Sequence, residues 1–508
     1  MAFAKVHSAQ TNILSGHIID VEVDLSRGLH SFSIVGLPDK ATEEAKDRIS
    51  AAIKNSGFTS PKQRNQKVVL ALAPAEIKKE GSIFDVAMAL GYMLATEDIA
   101  GDVSQKVFIG ELSLDGKIRR VNGVITLTKL AKDFGFKEII VPFENREEAA
   151  LISGIDVIPT HTLTDVINHI QEEKILPQPK TKIKFDTGES EITFDDITGQ
   201  ESAKRALTIA AAGKHNIGLF GPPGTGKTML SKAFREILPP LSEEEIIEIT
   251  GIHSVAGTLK KSYITNAPWR SPHHTSSYVA LVGGGANPKP GEITLAHKGV
   301  LFLDEFAEFE TRVLEALREP LEEKKVSVSR AKGTAVFPAH FILVAALNPC
   351  PCGNRGFKGP ACVCSPVQLL KYERKISGPI LDRIDMWISV PRIDHERLLS
   401  EKNTNENNKI KKSVATARKI QNKRYSKLSK QKTNGDLSVR ELLQFIEVSD
   451  EVKQILDDAA KTLNLSPRGY HKVLKLARTI ADLDGTEEIK KENILEALSY
   501  RPPKSTLS

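Results

Sequence analysis

Eight residues, Gly221, Pro222, Pro223, Gly224, Thr225, Gly226, Lys227 and Thr228, follow directly on the apolar run Ile217 to Phe220. Glycines so placed let backbone N–H groups close around an anion. The lysine can reach terminal phosphate oxygens, and the adjacent hydroxyl can ligate magnesium. Met229 to Phe234 reads as the start of a helix whose positive end faces the same anion. A glycine-rich turn would account for the glycines but not for a Lys–Thr pair between strand and helix. The chemistry implied is therefore the binding of a nucleoside triphosphate with Mg2+.

Two further apolar runs end in polar residues. Val300 to Leu303 leads into Asp304 and Glu305, the pattern of a buried parallel strand that delivers acids to its carboxyl end. Asp304 could hold magnesium through water, and Glu305 could polarise an attacking water. Phe341 to Leu347 leads into Asn348, an amide suited to sensing the γ-phosphate or orienting water, with a strand-ending turn asparagine as the competing reading. Immediately afterwards come Cys350, Cys352, Cys362 and Cys364, two Cys-x-Cys pairs separated by nine residues. Four thiolates suit tetrahedral Zn2+ in a structural role, against free thiols or a redox pair.

The elements that must position these groups are legible at coarse grain. A chain of 508 residues is expected to form about three domains. Residues 1–175 alternate strand-like and helical runs, among them Ile18–Val23, Lys67–Ala73 and Glu138–Pro142. Residues 176–193 are polar and proline-bearing, so they read as a linker. Residues 194–393 carry the phosphate loop and apolar strands in the style of a doubly wound α/β sheet. Residues 394–508 turn helical and basic, with ten Lys/Arg and no Asp/Glu from Lys409 to Lys432. Lys325 to Phe337 alternates polar and apolar residues about a basic, glycine-containing tip, which predicts a hairpin bearing Arg330 and Lys332. Net charge is +6, which permits a polyanionic partner without requiring one. There is no apolar stretch of bilayer length and no secretory pattern at the N-terminus, so a cytoplasmic protein without a membrane partner is expected. His273 and His274 read as structural, or as part of the insertion around them.

Taken together, Phe194–Gln200, the phosphate loop, Asp304–Glu305, Asn348, Gly378–Asp385 and Ser466–Tyr470 resemble AAA+ ATPases of the magnesium-chelatase-like, YifB/ComM type, over nearly the whole chain. The resemblance implies that Arg383 is an arginine finger reaching a neighbouring subunit. It implies that Arg468 is a second sensor on a helical lid (394–508), and that the protein forms a homo-hexamer. An intrachain salt bridge is the competing reading for Arg383, which is flanked by Asp382 and Asp385. Residues 269–292 resemble an insertion of this AAA+ branch; in related rings it and the hairpin point into a central pore, where Arg330 and Lys332 would face a DNA backbone. Residues 1–175 resemble the S5-like fold of Lon-type proteolytic domains, but the nucleophile position falls on Ile83 and the general-base position on Ile125. Ser82 and Lys117 are the displaced substitutes to consider. The function implied is an ATP-dependent hexameric motor on single-stranded or branched DNA, such as branch migration of recombination intermediates in natural transformation. The alternative is a chelatase-like or chaperone-like AAA+ ATPase acting on a protein client.

Overall fold

The computed structural model describes residues 2–501 apart from 172–173, 186–191, 286–287, 331–332, 358–359, 376–377, 394–404 and 429–431. It divides into two compact units, one of residues 1–185 with 242–265, the other of 186–241 with 266–508.

In the first unit, β1 (Ala2–Asn12) and β2 (Ser15–Arg27) form a long antiparallel hairpin. Along β2, Ile19, Val21 and Val23 are buried while Asp20, Glu22 and Asp24 are not, the two-residue period of a strand with one face on a core. With β3 (Ser31–Val35), β4 (Gln66–Ala73), β5 (Lys106–Phe108), β6 (Glu138–Pro142) and β7 (Asp156–Thr160) they build a seven-stranded mixed sheet of order β3-β4-β2-β1-β5-β6-β7. Helix Asp85–Ala95 is apolar on nearly every side, and all of it except Leu94 is buried, as such a helix must be to fold in water.

Residues 242–265 lie in sequence between the phosphate loop and Asp304, where the sequence analysis assigns them to the ATPase core. They belong to the first unit instead. Ser242 and Glu245 make a reciprocal capping box that starts helix Glu243–Val255. Near its end, Ser254 Oγ donates to Glu148 Oε1 at 2.5 Å and accepts from Gly123 N at 2.7 Å. Ile247 packs against Ile125, Leu151 and Ile152. The expected linker is likewise no free tether where it is described. Gln178 N bonds to Val157 O, Thr181 N to Ala150 O and Lys184 N to the Tyr263 hydroxyl, so this polar stretch satisfies its backbone on the first unit.

In the second unit, β8 (Ile217–Phe220), β9 (Trp269–Arg270), β10 (Val300–Leu303), β13 (Ile342–Leu347) and β14 (Met386–Ser389) form a parallel sheet of order β9-β10-β13-β8-β14. Every residue of β8, β10 and β13 is buried, which is why these strands read as continuous apolar runs rather than alternating ones. The predicted hairpin forms as β11 (Lys325–Arg330) and β12 (Gly333–Pro338), paired from Lys325↔Pro338 to Arg330↔Gly333. C-terminal helices Glu406–Arg424, Val439–Phe445, Asp450–Leu463, Pro467–Leu483 and Lys491–Ser499 share one apolar core with the sheet and with helices Glu201–Gly213 and Lys227–Glu236. A buried carboxylate, Asp482, ties that helical region together by accepting from Arg424, Arg478 and Asn434.

Candidate functional site

Neighbouring strands in the order β10-β13-β8 present their carboxyl ends side by side, so the residues that follow each strand meet at one place. Phe220 of β8 is in register with Leu347 of β13, and Gly221 N donates to Leu347 O. That register brings the phosphate loop alongside Asn348. Gly224 (φ +75°) and Gly226 (φ +85°) hold left-handed backbone, and the space around each is open. Conformation rather than crowding therefore calls for glycine there.

Lys227 Nζ donates to Gly221 O (2.7 Å), Pro222 O (2.7 Å) and Asn348 Oδ1 (3.1 Å). Burial pushes this ammonium down to about 8, with Asp304 pulling the other way. An incoming phosphate would favour the charged form further. Thr228 Oγ1 donates to Asp304 Oδ2 at 2.9 Å, and Asp304 Oδ1 accepts from Glu305 N at 2.9 Å. Hydroxyl and carboxylate oxygen thus stand together as a hard-cation pair, the donor set magnesium prefers. Glu305 sits in left-handed backbone (φ +50°, ψ +46°), uncommon for a non-glycine residue and a mark of a constrained position.

A partner of Glu305 was missed in the sequence. His274 Nδ1 lies 2.9 Å from Glu305 Oε2. No motif around His274 points to this; the two stretches come together through the parallel pairing of β9 with β10.

The two candidate arginines converge on one acid. Glu322 lies 2.8 Å from Arg383 and 2.5 Å from Arg468. Burial alone would raise its carboxyl, but the hydrogen bonds and charges of Arg468 and Arg383 together outweigh that and hold it below the usual range. Asp385, the competitor the sequence suggests for Arg383, accepts instead from Asn216 N (2.8 Å) and pairs with Lys472 (3.3 Å).

The four cysteines come together, with all Sγ atoms within 4.8 Å of one another and with Cys350–Cys352, Cys350–Cys362 and Cys352–Cys362 at 3.3, 3.7 and 3.6 Å. Tetrahedral zinc with Zn–S near 2.3 Å needs sulfurs about 3.8 Å apart, so the cluster fits that ion. Backbone N–H groups of Asn354 and Val363 point at Cys352 and hold its thiol down at about 6. The loop also touches the phosphate loop: a Cβ on Gly353 would lie 2.4 Å from Pro223 Cδ. Tyr372 donates its hydroxyl to Asn348 O at 3.0 Å, adding a second tie to the same place.

Of the two cations expected on the hairpin tip, Arg330 ends β11, its side chain outside the description, and Lys332 lies outside the described residues. The basic run 409–432 is divided in its use. Arg418 donates to Ala211 O, Arg424 to Asp482 and Lys432 to Glu441, whereas Lys409, Lys412, Lys419 and Lys423 are exposed along one stripe of helix Glu406–Arg424. In the first unit the residues that the Lon-type resemblance singles out lie as follows. Ile125 is buried with its N–H on Glu148, Ile83 packs against apolar neighbours, Ser82 donates to Glu111, and Lys117 pairs with Asp115 at 3.0 Å. Ser82 and Lys117 each have a carboxylate partner of their own, so the displaced dyad has no support in the geometry.

A parallel sheet with a phosphate loop, two acids and a polar sensor at adjacent strand ends defines a P-loop nucleotide-binding protein of the AAA+ class. Comparison with known proteins agrees. Family models described as magnesium chelatase, subunit ChlI, as subunit ChlI of Mg-chelatase, and as the ChlI C-terminal region match residues 193–398, 21–145 and 404–501. The competence protein ComM of Haemophilus influenzae is 40% identical over 508 residues, covering 99% of this chain and 98% of that protein. YifB of Escherichia coli is 40% identical over 507 residues, covering 99% and 97%. Lon protease 2 of Bacillus subtilis is 28% identical over 186 residues, 34% of this chain and 32% of that protein. The chain belongs to the YifB/ComM family of magnesium-chelatase-like AAA+ proteins. Among the described residues no helix is long and apolar enough to cross a membrane.

Proposed function

We propose that the protein is a ring-forming ATPase whose hydrolysis drives movement on DNA, with branch migration of recombination intermediates as its reaction. The observation that carries the ATPase part is the convergence of Lys227, the Thr228–Asp304 pair and Asn348 at the ends of three adjacent strands. Lys227 would neutralise the β- and γ-phosphates. Thr228 and Asp304 would hold Mg2+, which neutralises charge on the phosphates. Glu305 would accept the proton of the attacking water, and Asn348 would orient that water.

Arg383 and Arg468 would act on the site of a neighbouring copy, most simply in a homo-hexamer. Their convergence on Glu322 supports a shared role, since one acid gathers two guanidinium groups into a cluster that keeps a net positive charge and could exchange the carboxylate for phosphate. The cysteine cluster would hold structural Zn2+, stiffening the loop behind Asn348 and Pro223.

Three features favour DNA over a protein client: the relative named a competence protein, the lysine stripe of helix Glu406–Arg424, and a hairpin whose strands are joined in sequence by a basic stretch from Arg330 to Lys332. All suit a phosphate backbone bound without regard to sequence. The deciding experiment follows ATP turnover and the dissociation of a synthetic four-way junction by the purified protein. Turnover stimulated by DNA and junction dissociation that requires ATP are expected. Unfolding of a protein client with the junction left intact would replace DNA by protein as the client.

A further inference from the structure

Arg383 is presented by a turn between the short helix Gly378–Leu381 and β14. Arg383 N donates to Ile380 O, and the chain then enters β14 with Asp385 N and Met386 N both on Asn216 O. The last carbonyls of a helical end have no partner within the helix and need one from elsewhere. Lys472 supplies it. Its ammonium donates to Asp382 O and to Ile384 O (3.0 Å), the carbonyls on either side of Arg383, and pairs with Asp385 Oδ1 at 3.3 Å. Only 16% of the lysine side chain is exposed. Burial alone would raise the Asp385 carboxyl, but the positive charge around it, that of Lys472 foremost, outweighs that and holds it below the usual range. Asn216 closes the turn from the other side, donating its N–H to Asp385 Oδ2 at 2.8 Å.

Lys472 stands on helix Pro467–Leu483 four residues after Arg468, a spacing that puts both cations on one face. The helix therefore reaches Arg383 twice. Lys472 holds the backbone that flanks it, while Arg468 meets its guanidinium through the shared acid Glu322. Pro379 O accepts from the same guanidinium at 2.6 Å. The helix itself is anchored, since Val473, Leu474, Leu476, Ala477 and Ile480 are buried in the core that it shares with the sheet. Loss of the lysine would thus release the turn and leave the helix where it is.

We propose that Lys472 is a positioning residue for Arg383: it grips the turn on both sides of the arginine and fixes where the guanidinium stands relative to Arg468. A cation that must meet charge developing on a transferred phosphoryl group loses most of its effect when it is displaced by about 1 Å. Among the described residues the partners of Lys472 lie in the turn 382–385, and none belongs to the phosphate loop, Asp304 or Asn348. Its loss is therefore read in the rate of the chemical step and not in the binding of nucleotide. The inference rests on the ATPase reading above, with Arg383 acting on hydrolysis, and not on the identity of the client.

The test is steady-state ATP turnover by the full chain as a function of ATP concentration. Lys472→Met keeps the length of the side chain and removes its donors. It is expected to lower kcat about ten- to a hundredfold, with KM for ATP within about twofold of the wild type. In a chain that already carries Arg383→Ala, the same change should cost nothing further, because the residue it positions is gone. A lysine that merely supported the fold would slow both backgrounds alike. If the methionine variant melts early, Lys472→Gln, which keeps one amide donor, makes the same two comparisons with a smaller loss. A kcat within about twofold of the wild type, a KM that rises in step with the loss, or a double variant clearly slower than Arg383→Ala overturns the proposal. Failure of the underlying reading looks different. Wild type no faster than Glu305→Gln ends the ATPase reading, and Arg383→Ala as fast as the wild type ends the role of Arg383; either result removes this inference with it.

Discussion

Both units bury acids for the fold, as Asp482 does in the second, but they differ in what their other polar groups are bonded to. In the first, the buried acids are spent on the fold: Glu148 accepts from Ser254, Ile125 N and Asn145, and Asp85 accepts two bonds from Arg48 and one from Leu112 N. The resemblance to Lon-type proteolytic domains puts its nucleophile and base positions on Ile83 and Ile125, whose side chains can neither attack nor deprotonate. In the second, polar groups face one another across strand ends and bond to replaceable partners, as Lys227 does to two loop carbonyls. A carboxylate enclosed by three donors stabilises and cannot react, whereas a lysine on backbone carbonyls can exchange them for phosphate. Likeness of fold therefore says little about chemistry until the side chains are read.

The contrast predicts effects of different size. Lys227→Ala or Glu305→Gln should lower ATP turnover at least about a hundredfold, while Ser82→Ala leaves it unchanged and neither wild type nor variant degrades casein. Casein cleavage abolished by Ser82→Ala would break the comparison outright. Cys352→Ser, or stripping of metal with a strong chelator, should weaken ATP binding by about tenfold, the scale of effects reported for supporting shells around metals. Metal analysis of the purified protein should find about one zinc per chain if four thiolates close one tetrahedral site. Gly353→Ala should weaken ATP binding with zinc retained, because its Cβ would meet Pro223.

Asp85 sharpens the view of the first unit. Burial raises its carboxyl from 3.8 to about 6 against the pull of Arg48. A raised carboxylate pKa means that the folded state binds the proton more tightly than the unfolded chain. Its contribution is thus full below about pH 4 and is lost as pH rises through about 6, an effect of up to about 3 kcal/mol. Melting of the first unit in wild type and Asp85→Asn across pH 4 to 7 should differ by that trend, and parallel curves would refute it. The smallest effect is expected at the surface: replacing Lys412, Lys419 and Lys423 by Glu should reduce DNA stimulation a few-fold and flatten its salt dependence, with basal turnover kept. An unchanged salt slope would remove this helix from the DNA surface.

Much of the site was legible in advance for a local reason. The phosphate loop, the Asp304–Glu305 pair and Asn348 each sit directly after an apolar run, so strand and reactive tip are written in adjacent residues. The hairpin 325–337 was legible in the same way, through alternation about a basic tip. The missed features are all pairings between distant stretches. Glu322 collects two arginines from elements 61 and 146 residues further along the chain, as the numbering of Arg383 and Arg468 shows. Nothing beside His274 announces Glu305, and nothing in 242–265 announces Glu148.

By itself the sequence determined three of the five strands of the parallel sheet, where the phosphate-binding turn lies, and which side chains could meet magnesium or zinc. These follow from periodicity and side-chain chemistry over a few residues. Only the tertiary structure decided that 242–265 folds into the first unit, that one glutamate holds both candidate arginines, that Gly353 backs the phosphate loop and that an imidazole sits on Glu305. Each depends on strand order and register, which are settled by burial summed over a whole core rather than by any local pattern.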